Sequence, residues 1–366
     1  MKVATVVGVR PEFIRAFFIS KELRKYFDEV VIHTGQHYDY ELSKVFFEQL
    51  NIPEPNYNLN IGSGTHGWQT GELLKRLEEV LVKEKPNLVL VHGDTNSTLA
   101  GALAAVKLHI KVAHIEAGLR SFNRMMPEEI NRIIVDHISD YLFAPTETAV
   151  KNLYNEGIRE GVYLTGDIMY DALLQSIKVA RIKSNILKKL SLRPKEYLLV
   201  TVHRAENTDN KNNLENIINA LIESKELIVF PIHPRTVKQL NNYGLYEKIS
   251  KVENVLLVPP VSYLDMLILE ENSKKIITDS GGIQKEAYFL KVPCVTLRRE
   301  TEWVETVEDG WNILVDTDKE KIIHAIKEFE PHGNVYSYKF GDGRSVEKIV
   351  RILKDLLFIP TSKNTQ

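Results

Sequence analysis

KIITDSGGIQKEAYFLKVPCVTL, residues Lys275–Leu297, places a strand, a glycine turn, a helix and a second strand in one short run. Ile276-Ile277-Thr278 is a short apolar strand, and Asp279-Ser280-Gly281-Gly282 is a tight turn. A helical pattern runs from Ile283 to about Leu290, Pro293 breaks it, and Cys294 to Leu297 is the next strand. This is one parallel unit of an α/β fold. Its turn falls at the C-terminal end of the first strand, where such folds bind ligands. Ser280 is placed to cap the helix, and the two glycines let backbone N–H groups approach a ligand closely. Those N–H groups and the helix dipole form a seat for phosphate. Glu286 follows one turn later on the same face. A carboxylate there repels phosphate but accepts two hydroxyl hydrogens, as from a ribose diol. The plain alternative is an ordinary strand-to-helix turn.

The same pattern repeats upstream. Val3 to Val7 reads as a buried parallel strand. Gly8 ends it and Pro11 opens a helix, with Arg10, and then Arg15, offering a guanidinium to an anion at the helix's positive pole. Val30 to Ile32 ends in His33-Thr34-Gly35-Gln36-His37. The run from Asn51 to Gly71 is loop-like, with His66 and Trp68 suggesting order, and a helix follows from about Gln69 to Lys83. Leu88 to Val91 ends in His92-Gly93-Asp94-Thr95, ahead of a helix of small residues suited to close sheet packing. Val112 to Ile115, interrupted by His114, ends in Glu116-Ala117-Gly118. Glu116 is therefore either paired or displayed at the strand end, and Arg120 is a partner for it or for a ligand. Pro127-Glu128-Glu129 starts a helix with an isoleucine face, in which the i,i+4 spacing puts Arg132 next to Glu128. Met125 and Met126 read as packing. In the second half, strands end in His203-Arg204-Ala205-Glu206-Asn207 and in His233-Pro234-Arg235, and Arg298 follows the strand that closes the quoted run.

The 366 residues suffice for two domains. The boundary falls between Gly166 and Lys195, which we set after residue 170. With 47 basic and 49 acidic residues, the formal charge of -2 gives no electrostatic case for nucleic acid or an anionic membrane. No apolar run reaches the length of a membrane span, and MKVATVVGVRPE is too short and too quickly polar for a signal peptide. The single cysteine, Cys294, reads as a buried small hydrophobe, in keeping with a reducing cytoplasm. No Walker or dinucleotide fingerprint occurs. Metal-ligand spacing is absent as well, so neither a metal nor a cofactor is expected. The fold class expected is α/β, two Rossmann-like domains facing across a cleft. Asp94, Glu116 and Glu128 then line one wall, with Asp94 deepest at a central strand end. His203, Ser280, Gly281, Gly282 and Glu286 line the other.

GVRPE (Gly8–Glu12), HTGQH (His33–His37), HGDT (His92–Thr95), HIEAGLR (His114–Arg120), PEEINR (Pro127–Arg132), PTE (Pro145–Glu147), HRAEN (His203–Asn207), DSGGIQKEA (Asp279–Ala287) and GDGRS (Gly341–Ser345) occur together in this order. As a set they resemble the non-hydrolysing UDP-N-acetylglucosamine 2-epimerases over nearly the whole chain. The resemblance implies a glycosyltransferase-B type of fold: a first domain of residues 1–170 joined by a returning helix at 345–358, and a UDP-binding domain of residues 171–344. It implies UDP-binding roles for Arg10, His203, Ser280, Gly281, Gly282 and Glu286, with His203 also counted among the catalytic groups. Asp94, Glu116 and Glu128 match the catalytic carboxylates. Arg15, Arg120, Arg132, Arg204 and Arg298 are further substrate-binding candidates. Gln36 and His37 match a second, activating UDP-sugar site of bacterial relatives. Here, however, Tyr38-Asp39-Tyr40 follows where those carry another glutamine, Ser63 to Trp68 lacks their basic residue, and Ser121 to Met126 is shorter.

The implied reaction interconverts UDP-GlcNAc and UDP-ManNAc. The C2 hydrogen has no adjacent carbonyl, so its loss must accompany departure of UDP from C1, giving a 2-acetamidoglucal that takes UDP back after protonation on the other face. Carboxylates move the proton, and N–H groups and positive charge stabilise the leaving diphosphate. UDP-GlcNAc, UDP-ManNAc and UDP are the expected partners, in a cytoplasmic homodimer. Competing readings are a hydrolysing relative that releases ManNAc and UDP, a UDP-sugar glycosyltransferase, and a nucleotide-sugar-binding regulatory protein without turnover.

Overall fold

The computed structural model describes residues 1–36, 54–332 and 338–358, apart from the side chains of Arg10 and Pro11. The chain divides into two compact units, Met1–Ala172 with Tyr338–Gln366, and Leu173–Ser337. The division falls inside the helix Ile168–Lys183, a few residues past the boundary read from the sequence. The closing helix Ser345–Phe358 belongs to the first unit, where Phe358 stacks on Phe27 with ring centroids 5.4 Å apart.

In the first unit, strands β1 (Lys2–Val7), β2 (Asp28–His33), β3 (Tyr57–Asn58), β4 (Leu88–His92), β5 (Lys111–Ile115), β6 (Tyr141–Ala144) and β7 (Val162–Leu164) form one sheet in the order β3-β2-β1-β4-β5-β6-β7. Every neighbouring pair is parallel. The near-continuous apolar runs of β1 and β4 follow from burial on both faces. One face is closed by the helices His66–Glu84 and Asn96–Lys107, whose Leu73, Leu77, Ala100 and Ala104 meet Ala4, Val6, Val89 and Val91. The second helix lies close to the sheet: a Cβ on Gly101 would stand 3.2 Å from Val91 Cγ1 and 3.3 Å from Val6 Cγ1. Two local expectations change. His66 and Trp68 belong to the first turn of their helix, three residues ahead of its expected start, and the two-residue strand β3 lies within the run read as loop.

The second unit repeats the design with β8 (Leu198–Thr201), β9 (Ile228–Pro231), β10 (Val255–Val258), β11 (Lys275–Thr278), β12 (Cys294–Thr296) and β13 (Asn312–Leu314), in the order β10-β9-β8-β11-β12-β13. It is also wholly parallel. Both units are therefore Rossmann-like, as the sequence indicates. Strand order reverses at β1/β4 in one and at β8/β11 in the other. In such sheets the chains leaving the two central strands diverge to opposite faces and open a crevice at their carboxyl ends. Cys294 is buried in β12 and burial pushes its thiol up to about 12, so it is inert. Among the described residues no helix is long and apolar enough to cross a membrane.

Candidate functional site

In the first unit the acids expected at the strand ends come with specific cations. Asp94, in the turn after β4, receives Nε and Nη2 of Arg132 at 2.9 and 2.6 Å, and Asn131 Nδ2 holds its backbone carbonyl at 2.9 Å. Glu116, in the turn after β5, is paired with Arg15 from the helix Arg10–Leu23. Its own backbone is in the left-handed region at φ 73°, a strained conformation for a non-glycine residue that functional sites often retain. Between the two acids, Gly93 makes the arrangement sterically feasible. A Cβ there would lie 2.8 Å from Arg15 Nη2 and 3.5 Å from Glu116 Oε2. Burial pulls the Arg15 guanidinium down, but Glu116 and then Glu12 outweigh it and hold it above its ordinary value. Beside this pair a small recess is lined by Arg15, Glu116, Pro145, Thr165 and Asp167. The depth order expected from sequence reverses: the Glu116 side chain is 9% exposed and that of Asp94 29%.

The PEEINR helix, Pro127–Ile138, corrects the pairing read from i,i+4 spacing. Arg132 bonds Glu129 Oε2 at 2.8 Å as well as Asp94, rather than Glu128. Glu128 stands exposed in the first turn. Glu129 is buried and accepts from Ser121 N and Phe122 N, both at 2.9 Å, fixing the short loop before the helix with Phe122 at φ 59°. In that loop Met126 packs as expected, whereas Met125 is 90% exposed.

Arg120 does not face Glu116. Its Nη1 bonds Asp136 Oδ2 and the Leu119 carbonyl, both at 2.7 Å, and its Nε and Nη2 are taken by Glu156 at 2.7 Å each. Four of the five N–H groups of the guanidinium are thus engaged by acceptors of the protein itself. Gln36 is also occupied, accepting Ser97 N at 3.0 Å and Ser97 Oγ at 2.6 Å. His37 and the Arg10 side chain lie outside the described residues. At the β1/β4 crevice itself sits Glu12, 1% exposed. It accepts Gly8 N at 2.6 Å and Thr95 Oγ at 2.8 Å, tying the first turn of one helix to the N-cap of the other. Burial raises its carboxyl to about 7, against the pull of Arg15 and these donors.

The second unit has a matching lock at β8/β11. Asp279, fully buried, accepts His203 N at 3.0 Å, Arg204 N at 2.9 Å and Asn207 Nδ2 at 3.1 Å, and its other oxygen lies 3.3 Å from His203 Nδ1. One carboxylate thus shapes the HRAEN turn and lies against Nδ1 of His203. Ser280 occupies the N-cap of the helix Gly281–Phe289, but its hydroxyl makes no capping bond to the first-turn N–H groups. Among the described residues, a Cβ on Gly282 would meet only Ser280 Oγ within 4 Å, at 3.8 Å, whereas one on Gly281 would press on Trp303 Nε1 at 3.3 Å. Glu286 is buried on this helix. Arg298 Nη1 bonds Glu302 at 2.7 Å, and Arg204 Nη2 lies 3.7 Å from the same carboxylate. Both arginines are therefore gathered on one buried acid near the helix start.

The profile of the UDP-N-acetylglucosamine 2-epimerase family matches residues 21–354. The chain belongs to this family. A Methanococcus maripaludis relative named UDP-N-acetylglucosamine 2-epimerase homolog is 63% identical, over 97% of this chain and all of its own. The crystal structure of Methanocaldococcus jannaschii UDP-GlcNAc 2-epimerase in complex with UDP-GlcNAc and UDP is 51% identical, with a TM-score of 0.91 over 97% of this chain and 99% of that one. A Pseudomonas aeruginosa UDP-2,3-diacetamido-2,3-dideoxy-D-glucuronate 2-epimerase is 44% identical over 97% of this chain and 100% of its own. As a member of the UDP-N-acetylglucosamine 2-epimerase family, the chain has a fold of the glycosyltransferase-B kind. Four acids of this family member escape a reading of the sequence for strand-end chemistry: Glu12, Glu129, Asp136 and Asp279. Glu12, Glu129 and Asp279 sit inside motifs that were singled out, whereas Asp136 lies four residues past one, on the buried face of its helix with Glu129, Arg132 and Val135 and not on the isoleucine face, whose Ile134 is exposed. Place in a motif was the available signal.

Proposed function

We propose that the protein interconverts UDP-N-acetylglucosamine and UDP-N-acetylmannosamine without net hydrolysis. The observation that carries the reading is the pair of cation-held carboxylates, Asp94–Arg132 and Glu116–Arg15, on either side of Gly93. Two cation-paired acids at adjacent strand ends suit a reaction that must remove a proton from one face of a carbon and return one to the other. A carboxylate takes the C2 hydrogen, the C1–C2 double bond forms, and the C1–O electron pair leaves with UDP. Return of UDP oxygen to C1, with protonation at C2 from the opposite face, gives the epimer. Atoms balance without water. Glu128 is proposed as the third acid. His203, Ser280, Gly281, Gly282 and Glu286, with Arg10, are proposed to take the nucleotide. Helix N–H groups and the imidazole stabilise the departing diphosphate, and Glu286 accepts the ribose hydroxyls. The family resemblance supports a homodimer, and the balanced charge and single buried cysteine support a cytoplasmic setting.

Incubation of the protein with UDP-GlcNAc alone, followed by proton NMR, tests this. The expected result is UDP-ManNAc approaching equilibrium with no free sugar. Accumulation of free ManNAc and UDP means a hydrolysing enzyme, and binding without turnover means a regulatory protein. The elimination acts at C1 and C2 whatever C3 and C6 carry. A parallel incubation with the diacetamido-glucuronate nucleotide named for the Pseudomonas relative therefore fixes which sugar is preferred.

A further inference from the structure

The histidine of HIEAGLR has no part in the chemistry above, yet it is fully buried at the end of β5. Its Nδ1 lies 2.7 Å from Asp136 Oδ1 and its Nε2 2.7 Å from the Gly93 carbonyl oxygen. A carbonyl only accepts, and so does an ionised carboxylate. A neutral ring would have to aim a lone pair at one of them from 2.7 Å. The ionised carboxylate is favoured by its other oxygen, which receives Gly118 N at 3.1 Å and the Arg120 guanidinium through Nη1 at 2.7 Å. Burial pushes Asp136 up, but His114 and Arg120 hold it below the ordinary carboxylate range.

From this geometry we infer that His114 is a buried imidazolium, hydrogen-bearing at both ring nitrogens, and that it positions the two turns carrying Asp94 and Glu116. The charges around it close on themselves. Asp136 stands between His114 and Arg120, and Glu156 neutralises the far side of Arg120. Beyond Gly93 lie the Arg15–Glu116 pair and the buried His92, which burial pulls down to about 3 and which is therefore neutral. Two cations and two anions in one network meet the condition for burying charge. The link runs from the helix Pro127–Ile138 through the ring to the carbonyl of Gly93, one residue before Asp94. From the same carboxylate a second link runs to Gly118 N, two residues after Glu116. Gly93 N also bonds the Ile115 carbonyl at 3.0 Å, which fastens the two turns to each other. His114 touches neither acid, so it is a positioning residue. This part of the inference rests on the proposed roles of Asp94 and Glu116.

Neutron diffraction from deuterium-exchanged crystals of the whole protein at about pH 8, well above the ordinary histidine value of about 6.5, counts the hydrogens directly. Deuterium on both ring nitrogens is expected, and deuterium on only one overturns the inference. That count is independent of any substrate, so it stands or falls apart from the epimerase reading. Asp136→Asn, which removes the charge and keeps the shape, tests positioning. The turnover number on UDP-GlcNAc is expected to fall about tenfold or more while UDP affinity by calorimetry changes less than about twofold. An unchanged turnover number in a folded variant overturns the positioning role. Should the variant not fold, the hydrogen count on the parent decides.

Discussion

Asp94 and Glu116 sit at equivalent strand ends but in different surroundings, so their amide variants should differ. Either change keeps the shape and removes the proton-accepting charge, and turnover should fall by about 10²–10⁴-fold. Glu116→Gln should also lower stability, because it leaves Arg15 buried without its counter-ion. Asp94, more exposed, should show the kinetic loss with little change in urea midpoint. Equal stability losses would contradict the burial difference. The acids were legible in the sequence because they end apolar strand runs. Their partners were not: Arg132 lies 38 residues from Asp94 and Arg15 lies 101 residues from Glu116, distances over which spacing carries no information. The i,i+4 rule even pointed to Glu128, because a local rule cannot weigh a tertiary competitor.

At the same scale His92 makes a prediction about pH. Burial, then Arg15, lowers its imidazole from 6.5 to about 3. Between those values the unfolded chain binds a proton that the folded chain refuses. This stabilising contribution is therefore present above 6.5 and lost as pH falls, by about 1.4 kcal/mol per pH unit. His92→Leu should flatten the stability–pH curve below 6.5 by about one proton, read as urea midpoints from pH 6.5 to 4. A curve parallel to the parent's contradicts it. Glu12 acts with the opposite sign. Raised from 4.5 to about 7, its carboxyl keeps a proton in the folded state, and its contribution declines as pH rises through that interval.

At the scale of elements, the helix that begins at Gly281 carries the nucleotide proposal. Gly282→Val should leave folding intact, since among the described residues a Cβ there meets nothing closer than Ser280 Oγ. It should weaken UDP binding sharply by blocking backbone approach. Calorimetry giving unchanged affinity in a folded variant would remove this helix from the site. Most strands and helices were readable from periodicity, because two-sided burial writes itself as unbroken apolar runs. What escaped was short or tertiary. The two residues of β3 are too few to show a period, and the helix at His66 begins within a glycine-rich run. The carboxylate locks Glu12 and Asp279 read as ordinary turn acids until the sheet brings the second loop to them.

For the whole molecule, two sheets that share one order over six strands carry different chemical groups, and substitutions should sort accordingly. Changes in the second unit, such as His203→Asn, should weaken UDP binding by about 1.5–3 kcal/mol, the range for a lost hydrogen bond to a charged group. Changes at Asp94 and Glu116 should leave UDP affinity near the parent's while turnover falls. Titration of UDP into each variant checks the pattern, and UDP affinity lost equally from both sets would contradict the division of labour.

The central claim is elimination and re-addition of UDP. It is tested most directly by running the reaction in deuterium oxide on UDP-GlcNAc labelled with ¹⁸O at the bridging position. The account predicts deuterium at C2 of the product and scrambling of the bridging label, as the C1–O bond breaks and reforms. Product that keeps its original C2 hydrogen, with the bridging oxygen unscrambled, would contradict it.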